Sequence, residues 1–312
     1  MTLSVASVTV AYNAASALPQ QMEALLRQTH PLQEIVVVDN ASTDCTRTLL
    51  ADRYPQVTVL KLPENLGAAG AWSAGLAYAA LQKRHDWVWT FDDDSAPDAD
   101  ALQNLVTGIE TFRSTDDEIG MVAPLPVHRE TGTCYTPLFW RDGFVKPSAE
   151  LLNQPIWFAD LVILSGCMVC REVVENIGLP RSDFFMDLFD FEYCLRAGSH
   201  GYKIAVVTPA RVAHEIGNAR KVWLPGYSRA WPNHAPFREY YMSRNLAYTA
   251  WWLYPSRSTK RFVMGRLLRH AGGVLLFSSN KLACFEKMAQ GFLDGCQARL
   301  GIRFRPESPP VR

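Results

Sequence analysis

The segment EIVVVDNASTDCTRTLLADRYPQVTVLKL, residues 34–62, decides the fold class of this chain. A run of branched apolar residues ends at Asp39, a helix-forming stretch follows, and a second apolar run closes the segment. Continuous valine and isoleucine strands separated by helices are typical of a parallel sheet that is covered on both faces. The segment therefore predicts a strand, a helix capped by Ser42 or Thr43, and a second strand.

The same alternation runs through roughly the first hundred residues and predicts an α/β fold with a mostly parallel central sheet flanked by helices. The other predicted elements of this part are a strand over 5–12, a helix over 17–29, a helix over 68–84, a strand over 87–91 and a helix over 98–112.

The regular alternation of strands and helices ends at about residue 115. Beyond it, shorter segments interrupted by proline and glycine predict a second half of mixed secondary structure that ends at residue 254. Residues 218–236 show no periodic pattern and predict a long loop. From residue 237 onward the pattern is helical with a break at Pro255, so residues 255–312 are predicted to form a helical C-terminal extension.

Composition excludes several classes of protein. With 48% hydrophobic and 20% charged residues, the 312-residue chain is globular, and its 31 basic and 31 acidic residues cancel, which argues against a nucleic-acid partner. No apolar stretch reaches the roughly eighteen residues of a membrane-spanning helix. The opening residues lack a signal-peptide pattern, so we expect a cytoplasmic protein.

Seven cysteines are scattered along the chain, and they predict reduced thiols rather than a disulfide framework. Cys167 and Cys170 form a C-x-x-C pair inside the apolar run LVILSGCMVC, with no second pair nearby. We therefore expect buried thiols that act as small hydrophobes, in preference to a zinc or redox site.

Three consecutive carboxylates, Asp92, Asp93 and Asp94, follow the predicted strand WVWTF. Like charges repel, so they lie either in a solvated turn that opens the next helix or around a cation. On an extended backbone, Asp92 and Asp94 would project to one side and Asp93 to the other. Ligands bind at the carboxyl ends of strands in such sheets. The other polar residues expected at this edge are Tyr12, Asn13, Asp39, Asn40, Asn65 and Gly67.

Across residues 5–250 the chain contains, in this order, the motifs VVVDNASTDCT, ENLGAAGAW, FDDDS, FFMDLFDFEYCLR, HEIG and YYMSRN. This order of motifs resembles the family-two inverting glycosyltransferases of GT-A fold, most closely the bacterial rhamnosyltransferases, with galactofuranosyltransferases similar. The resemblance implies a glycosyltransferase domain over 1–254, with a nucleotide-sugar half over 1–115 and an acceptor half over 116–254.

The resemblance also implies the donor and metal residues. It places the first aspartate of the triplet toward the nucleotide ribose and gives the last one to a metal ion, with His214 completing the site. Mn²⁺ or Mg²⁺ suits such carboxylate and imidazole ligands. Asp39 would accept the N3–H of uracil or thymine. The implied metal ligands are Asp92, Asp94 and His214, and the implied donor-binding residues are Tyr12, Asn13, Asp39, Asn40, Asn65, Gly67, Asp92 and Asp93. By residue type alone, a histidine after an apolar strand such as His214 is more often a hydrogen-bonded core residue, and Asp39 is a turn or N-cap residue.

Inverting transfer needs a general base for the acceptor hydroxyl, and the acids of MDLFDFEYCLR are the candidates. The resemblance implies Asp190 as this base, although acids such as Asp187, Asp190 and Glu192 also stabilise the first turn of a helix. It implies acceptor contacts by Gly166, Glu192, Trp72 and Arg244. For Arg244 the alternative is a position on a surface helix.

The sequence thus predicts a metal-dependent inverting glycosyltransferase that moves L-rhamnose from dTDP-L-rhamnose to a glycan or lipid-linked acceptor in bacterial cell-surface polysaccharide synthesis. The alternatives are a galactofuranosyltransferase that uses UDP-galactofuranose, a nucleotide-binding oxidoreductase and a non-catalytic sugar-binding module. An oligomer is compatible with the sequence. Basic residues among apolar ones in the C-terminal helices predict either peripheral contact with the inner face of the plasma membrane or a solvated basic face. They are Lys260, Arg261, Arg266 and Arg269.

Overall fold

The chain forms two compact units. The computed structural model describes residues 3–112, 117–128, 134–214, 219–224, 227–232 and 234–306, with backbone alone for 219–224 and 227–232. The first unit consists of Met1–Trp140, Val145–Ser182 and Phe189–His214, and the second of Arg141–Phe144, Asp183–Leu188 and Glu215–Arg312. The structure therefore groups residues 215–254 with the C-terminal helices, whereas the sequence places the boundary at residue 254.

Four parallel strands build the part of the sheet that the opening segment predicts. They are β1 (Val5–Ala11), β2 (Glu34–Asp39), β3 (Thr58–Lys61) and β4 (Trp87–Asp92). Strand β1 pairs in parallel with both β2 and β4, and β2 pairs in parallel with β3. Every residue of β1 is buried, which is why its sequence is a nearly continuous apolar run.

The later strands are β5 (Ala96–Pro97), β6 (Ile119–Val127), β7 (Phe139–Trp140), β8 (Phe144–Val145), β9 (Ile156–Ala159), β10 (Met168–Cys170) and β11 (Lys203–Ala213). The strand order of the sheet is β3-β2-β1-β4-β10-β6-β11-β5, with β9 paired to β11. Strand β10 is antiparallel to both of its neighbours, and β11 is parallel to β6. The predicted fold class, a mixed α/β structure with a mostly parallel sheet, is confirmed.

Helices of the first unit follow these strands along the chain. They are α1 (Leu18–Leu26), α2 (Thr46–Arg53), α3 (Gly67–Leu76), α4 (Ala101–Phe112), α5 (Ala149–Leu152), α6 (Arg171–Ile177) and α7 (Phe189–Ser199). The predicted cap of α2 is wrong. The helix begins at Thr46, whose N–H donates to the carboxylate of Asp44 at 2.9 Å, while the Ser42 hydroxyl accepts from the N–H of Asn13 at 2.9 Å. A tertiary contact therefore takes the hydroxyl that the local pattern assigns to capping.

The second unit is a helical assembly with a hairpin. Strands β12 (Ala219–Leu224) and β13 (Tyr227–Pro232) pair antiparallel, and α8 (Pro236–Tyr248), α9 (Arg257–Phe277) and α10 (Lys281–Cys296) follow. The predicted loop is therefore wrong over 219–224 and 227–232, and its residues 218, 225, 226 and 233 lie outside the described ranges. The two strands form by pairing with each other, which apolar periodicity does not register.

Helix packing in the second unit depends on small residues. A Cβ added at Gly291 in α10 would lie 2.1 Å from the carbonyl oxygen of Tyr240 in α8, so only glycine permits this approach of the two backbones. The predicted helix break at Pro255 is confirmed, since α9 starts anew with the Ser256 hydroxyl accepting the N–H of Thr259 at 2.9 Å. Over the described ranges, no helix is both long and apolar enough to cross a membrane.

Of the two thiols of the C-x-x-C pair, Cys167 is buried as predicted, whereas Cys170 is only partly buried. All seven cysteines are free, and Cys167 is fully buried in the core. Burial raises the pKa of the Cys167 thiol, and it raises the pKa of the half-buried Cys170 to about 11. Thiols held in this protonated state are poor nucleophiles and poor metal ligands.

Candidate active site

The ends of three parallel strands meet at one edge of the sheet. Tyr12 follows β1, Asn40 follows β2, and the acid triplet ends β4. The N–H of Asn40 donates to the carbonyl of Ala11 at 2.8 Å, and the N–H of Tyr12 donates to the carboxylate of Asp93 at 3.3 Å. Parallel pairing places these ends side by side, so the predicted edge is formed.

Asn13 joins the end of β1 to the loop after β2. Its backbone has a left-handed φ of 54°, which asparagine tolerates better than most residues. Its side-chain oxygen accepts the N–H of Thr43 at 2.7 Å and that of Asp44 at 3.3 Å. The two strand ends therefore form one bonded structure.

Asp39 is a fully buried carboxylate at the end of β2. One of its oxygens forms an ion pair with Arg47, and the other accepts the N–H of Ser42 at 3.1 Å. These partners compensate the cost of burying the charge and fix the direction of both oxygens. The predicted hydrogen bond to a nucleotide base stays a prediction.

An asparagine pair ties β2 to the start of α3. The Asn40 side-chain amide donates to the Asn65 side-chain oxygen and to the carbonyl of Gly67, both at 3.2 Å. The same Asn65 oxygen accepts the N–H of Gly67 at 2.8 Å. The predicted donor-binding residues of this region thus lie together, held by their own amide groups.

The acid triplet adopts a tight turn. Strand β4 ends at Asp92, and the N–H of Ser95 donates to the carbonyl of Asp92 at 3.3 Å. The backbone does not stay extended beyond Asp92, so the alternation described for an extended backbone does not apply, and a turn, one of the two predicted alternatives, is formed. Burial, with the charges of Asp92 and Asp94 beside it, raises the pKa of Asp93 to about 7 despite the N–H of Tyr12. The triplet is a concentration of negative charge.

His214 follows β11 and lies next to this triplet. Its Nδ1 is 3.2 Å from the Asp94 carboxylate and 2.7 Å from the Ser95 hydroxyl, and the residue is 7% exposed. The Ser95 hydroxyl is 2.7 Å from that of Ser165, which accepts the N–H of Asp92 at 3.0 Å. Sequence analysis missed both serines, although Ser95 directly follows the triplet.

The pair of Asp94 and His214 fits a divalent cation. Adjacent ligands of an octahedral ion with bonds of about 2.1 Å lie about 3 Å apart, close to the 3.2 Å found between these two side chains. Carboxylate and imidazole suit Mn²⁺ and Mg²⁺, which commonly take further oxygens from a substrate phosphate. In the described part of the chain, Asp92 does not join them in a compact three-ligand group, so the predicted set of three is represented by this pair.

Gly166 and Trp72, two predicted acceptor residues, are interior positions of the first unit. Gly166 has a φ of 86°, donates its N–H to the carbonyl of Thr90 at 2.6 Å and accepts the indole N–H of Trp89 at 2.8 Å. Trp72 is 1% exposed, and its indole N–H finds no hydrogen-bond acceptor among the described residues. Their acceptor contacts stay predictions.

Helix α7 begins at Phe189, so Asp190 lies in its first turn as predicted. The Asp190 carboxylate accepts the N–H of Phe191 at 2.8 Å. Glu192 is 7% exposed, and both of its oxygens are bound by the guanidinium of Arg196, at 2.9 and 3.0 Å. Glu192 therefore has a structural partner, and its predicted acceptor contact stays a prediction.

An apolar hollow lies beside this helix, and sequence analysis did not predict it. Its wall includes Phe191, the residue after Asp190. The other lining residues include Pro124, Pro126, Tyr135, Leu161 and Ile163. Its surface suits the nonpolar face of a sugar ring or another apolar group.

In the second unit, Asp187 and Arg238 form an ion pair. The guanidinium of Arg238 contacts both carboxylate oxygens of Asp187, with a shortest distance of 2.9 Å. The two contacts fix the orientation of the Asp187 carboxylate.

Arg244 is fully buried in α8, so the alternative position on a surface helix is wrong, and its predicted acceptor contact stays a prediction. Its guanidinium donates to the carbonyls of Gly301, Asp183 and Phe184 at 2.6 to 2.9 Å and lies 4.7 Å from the centre of the Tyr241 ring. Burial lowers the pKa of Arg244. These bonds give it a structural role.

Comparison with known proteins agrees with this geometry. A family model described as Glycosyl transferase family 2 matches residues 7–137. The galactofuranosyltransferase GlfT1 of Mycolicibacterium smegmatis is 31% identical over 217 residues, which cover 68% of this chain and 71% of that protein. The dTDP-rhamnosyl transferase RfbF of Shigella flexneri is 28% identical over 213 residues, 68% of each chain.

Solved structures share the fold at low identity. The TarS 1–349 structure from S. aureus has a TM-score of 0.58 and 14% identity, and the match covers 95% of this chain and 82% of that one. The structure of GalNAc-T7 with UDP, GalNAc and Mn²⁺ has a TM-score of 0.60 and 19% identity, with 80% and 49% covered. Both likenesses support the same α/β architecture.

Proposed function

The chain belongs to glycosyltransferase family 2 and is a glycosyltransferase enzyme, and we propose that it transfers L-rhamnose from dTDP-L-rhamnose with inversion. The proposed acceptor is a glycan or glycolipid of bacterial cell-surface polysaccharide synthesis. Support for rhamnose comes from the motif pattern and from the likeness to a dTDP-rhamnosyl transferase. Family membership sets aside the oxidoreductase and the non-catalytic sugar-binding module.

The observation that carries the proposal is the meeting of Asp94 and His214 at the strand edge, 3.2 Å apart. A metal ion bound there would neutralise negative charge on the departing nucleoside diphosphate. We assign Asp94 and His214 to hold Mn²⁺ or Mg²⁺, with Asp92 facing the nucleotide. Asp39, fixed by Arg47 and the Ser42 N–H, is assigned to the base of the donor.

We assign Asp190 as the general base. The acceptor oxygen attacks the anomeric carbon, the bond from that carbon to the diphosphate oxygen breaks, and the nucleoside diphosphate leaves with the electron pair. The acceptor proton passes to the Asp190 carboxylate. The apolar hollow beside Phe191 is proposed to take a nonpolar part of the acceptor.

A donor panel tests the specificity. Release of nucleoside diphosphate is measured with dTDP-L-rhamnose, UDP-galactofuranose and common UDP-hexoses, using Asp94→Ala as the inactive control. Turnover at least about tenfold faster with dTDP-L-rhamnose, or roughly 1.4 kcal/mol in transition-state stabilisation, supports the proposal. Preference for UDP-galactofuranose makes the protein a galactofuranosyltransferase, the alternative that the likeness to GlfT1 favours.

The exposed side of α9 supports a second part of the proposal, peripheral contact with an anionic membrane that carries lipid-linked acceptors. Arg261, Met264, Leu268 and Leu275 recur at helical spacing and are all exposed, with Leu268 66% and Leu275 56% exposed. An exposed stripe of leucine with neighbouring arginines is the composition of helices that lie on anionic lipid.

Co-sedimentation with vesicles tests this contact. The intact protein is expected to bind vesicles of anionic lipid and not neutral ones, because the attraction of basic residues requires surface charge. Replacement of Lys260, Arg261, Arg266 and Arg269 by glutamine should abolish that binding. Failure of the intact protein to sediment with anionic vesicles removes the proposal.

A further inference from the structure

The second unit contains a compact cluster of two histidines and one glutamate. His234 precedes α8, Glu239 lies in its first turn, and His270 lies in α9. Each offers one ligand atom, and these atoms all lie within 4.8 Å of one another. We propose that His234, Glu239 and His270 bind a divalent transition-metal cation of the Zn²⁺ class.

The distances within the cluster suit such a cation. The Nε2 of His270 is 2.7 Å from one oxygen of Glu239, and the Nδ1 of His234 is 3.6 Å from the other. Ligands of a tetrahedral zinc ion with bonds of about 2.1 Å lie about 3.4 Å apart. The longer contact already has this spacing. The shorter one is a hydrogen bond, and a metal ion would take the place of the proton that joins the two atoms.

Burial makes the cluster different from a surface group of polar residues. Glu239 is 2% exposed, and the side chains of His234 and His270 are 16% and 15% exposed. The Nδ1 of His234 is buried, yet within the described ranges it has no hydrogen-bond partner. A buried ring nitrogen without a hydrogen-bond partner is unfavourable in the metal-free state, and a cation bound to that nitrogen and to the carboxylate would remove that cost.

The neighbouring charges permit a cation. Arg238, one residue before Glu239, is bound by the carboxylate of Asp187 at 2.9 Å, so its positive charge is compensated. Two imidazoles and one carboxylate are a ligand set used by zinc, which leaves a fourth position for water or a substrate group. Imidazole nitrogen favours zinc over magnesium. Such an ion would join the start of α8 to α9.

Metal titration of the full-length protein tests the proposal. The titration uses the Asp94→Ala variant, which lacks one of the metal ligands proposed at the strand ends. The variant is treated with chelator and titrated with Co²⁺ while the visible absorption is recorded, and Zn²⁺ is then added as a competitor. One equivalent with a tetrahedral Co²⁺ spectrum is expected. His234→Gln and His270→Gln should each weaken binding by about a hundredfold or more, since loss of an outer partner alone costs ten- to a hundredfold.

His200→Gln is the matched control, because His200 is exposed on the first unit, and it should leave the affinity unchanged. Absence of Co²⁺ and Zn²⁺ binding, or binding that neither glutamine variant weakens, overturns the proposal and leaves a purely hydrogen-bonded cluster. X-ray absorption of the zinc-loaded Asp94→Ala protein decides without these variants. Two imidazole ligands support the site, and one or none overturns it.

Discussion

Two acid-bearing regions of the chain are held in place by different means. The triplet Asp92–Asp94 ends a parallel strand, and its turn is fixed by the N–H groups of Ser95 and Tyr12. The segment Asp183–Leu188 is fixed by side chains of α8, since Asn245 donates to the carbonyls of Phe184, Met186 and Asp187 at 2.7 to 3.1 Å. Backbone groups position the first region, and a distant helix positions the second.

The segment Asp183–Leu188 needs these contacts from α8 because its backbone is strained. Phe185, Asp187 and Leu188 have left-handed φ angles of 64°, 56° and 65°. A non-glycine residue in a sparsely populated conformation costs on the order of 1–3 kcal/mol, and it persists where the surroundings over-determine it. The segment directly precedes Phe189 and Asp190 in the chain. Distant side chains thus hold a strained backbone immediately before the proposed base.

Removal of the metal should have the largest effect, and it tests the first region. Chelator treatment is expected to abolish sugar transfer, and Mn²⁺ or Mg²⁺ to restore it, because departure of a diphosphate requires charge neutralisation. Asp94→Ala should lose both transfer and metal-dependent nucleotide binding. Nucleoside diphosphate release and calorimetric titration measure the two. Full turnover after exhaustive chelation contradicts the metal assignment.

Asp190→Asn should have the next largest effect. Asparagine caps a helix about as well as aspartate but cannot accept a proton, so transfer should fall by roughly a hundredfold or more while donor binding persists. The measurement is turnover and donor affinity, beside Asp187→Asn and Glu192→Gln as matched variants.

The matched variants also locate the base. Near-normal transfer by Asp190→Asn together with collapse in one neighbour moves the base to that neighbour. Near-normal transfer by all three variants refutes a carboxylate base in this part of the chain.

Asn245→Ala tests the segment Asp183–Leu188, and its expected effect is smaller than that of Asp190→Asn. It removes the Asn245 amide from the carbonyls of Met186 and Asp187, while the Phe184 carbonyl keeps the Arg244 guanidinium as a donor, so we expect a loss of about 2 kcal/mol in the free energy of unfolding. Urea unfolding measures it, and Asn176→Ala, at an exposed asparagine, is the control with a change within about 0.5 kcal/mol. If the segment positions Asp190, transfer also falls while donor affinity is kept. An unchanged free energy of unfolding would contradict a stabilising role of Asn245 at the strained backbone.

Asp44→Ala should have the smallest effect, because the Asp44 carboxylate is exposed, and its contacts include the backbone N–H of Thr46 at 2.9 Å and that of Ala15 at 3.3 Å. Loss of its contact with the N–H of Thr46 is expected to cost about 1 kcal/mol of unfolding free energy. Asp52→Ala, near the other end of α2, removes the same charge without removing a cap and is the control. Equal effects of the two variants would show that Asp44 is not the cap.

The local sequence pattern was sufficient to predict the parallel strands and the polar residues at their carboxyl ends. The apolar runs of β1, β2 and β4 identify buried parallel strands, and parallel strands end together, so Tyr12, Asp39 and Asp92 were predictable as neighbours. The place of Asp190 in a first helical turn was predicted from the preference of acids for helix starts. The turn after Asp92 was one of two alternatives, because three adjacent carboxylates are compatible with a solvated turn and with a cation site.

Long-range side-chain contacts were not predictable in this way. The burial of Arg244 depends on carbonyls of Asp183 and Gly301, far away in the sequence, and nothing around Arg244 distinguishes it from an exposed arginine on a helix. The hairpin of β12 and β13 is likewise defined by pairing across strands.

The sequence by itself determined the alternation of strands and helices and the polar residues at the strand ends, because burial imposes a period of 2 or 3.6 on neighbouring residues. Only the tertiary structure decided which polar side chains meet. It placed His214 beside Asp94 and brought His234, Glu239 and His270 together. The physical reason is that contacts between these side chains depend on the packing of elements that are distant in sequence. Such packing leaves no periodic signal in the chain.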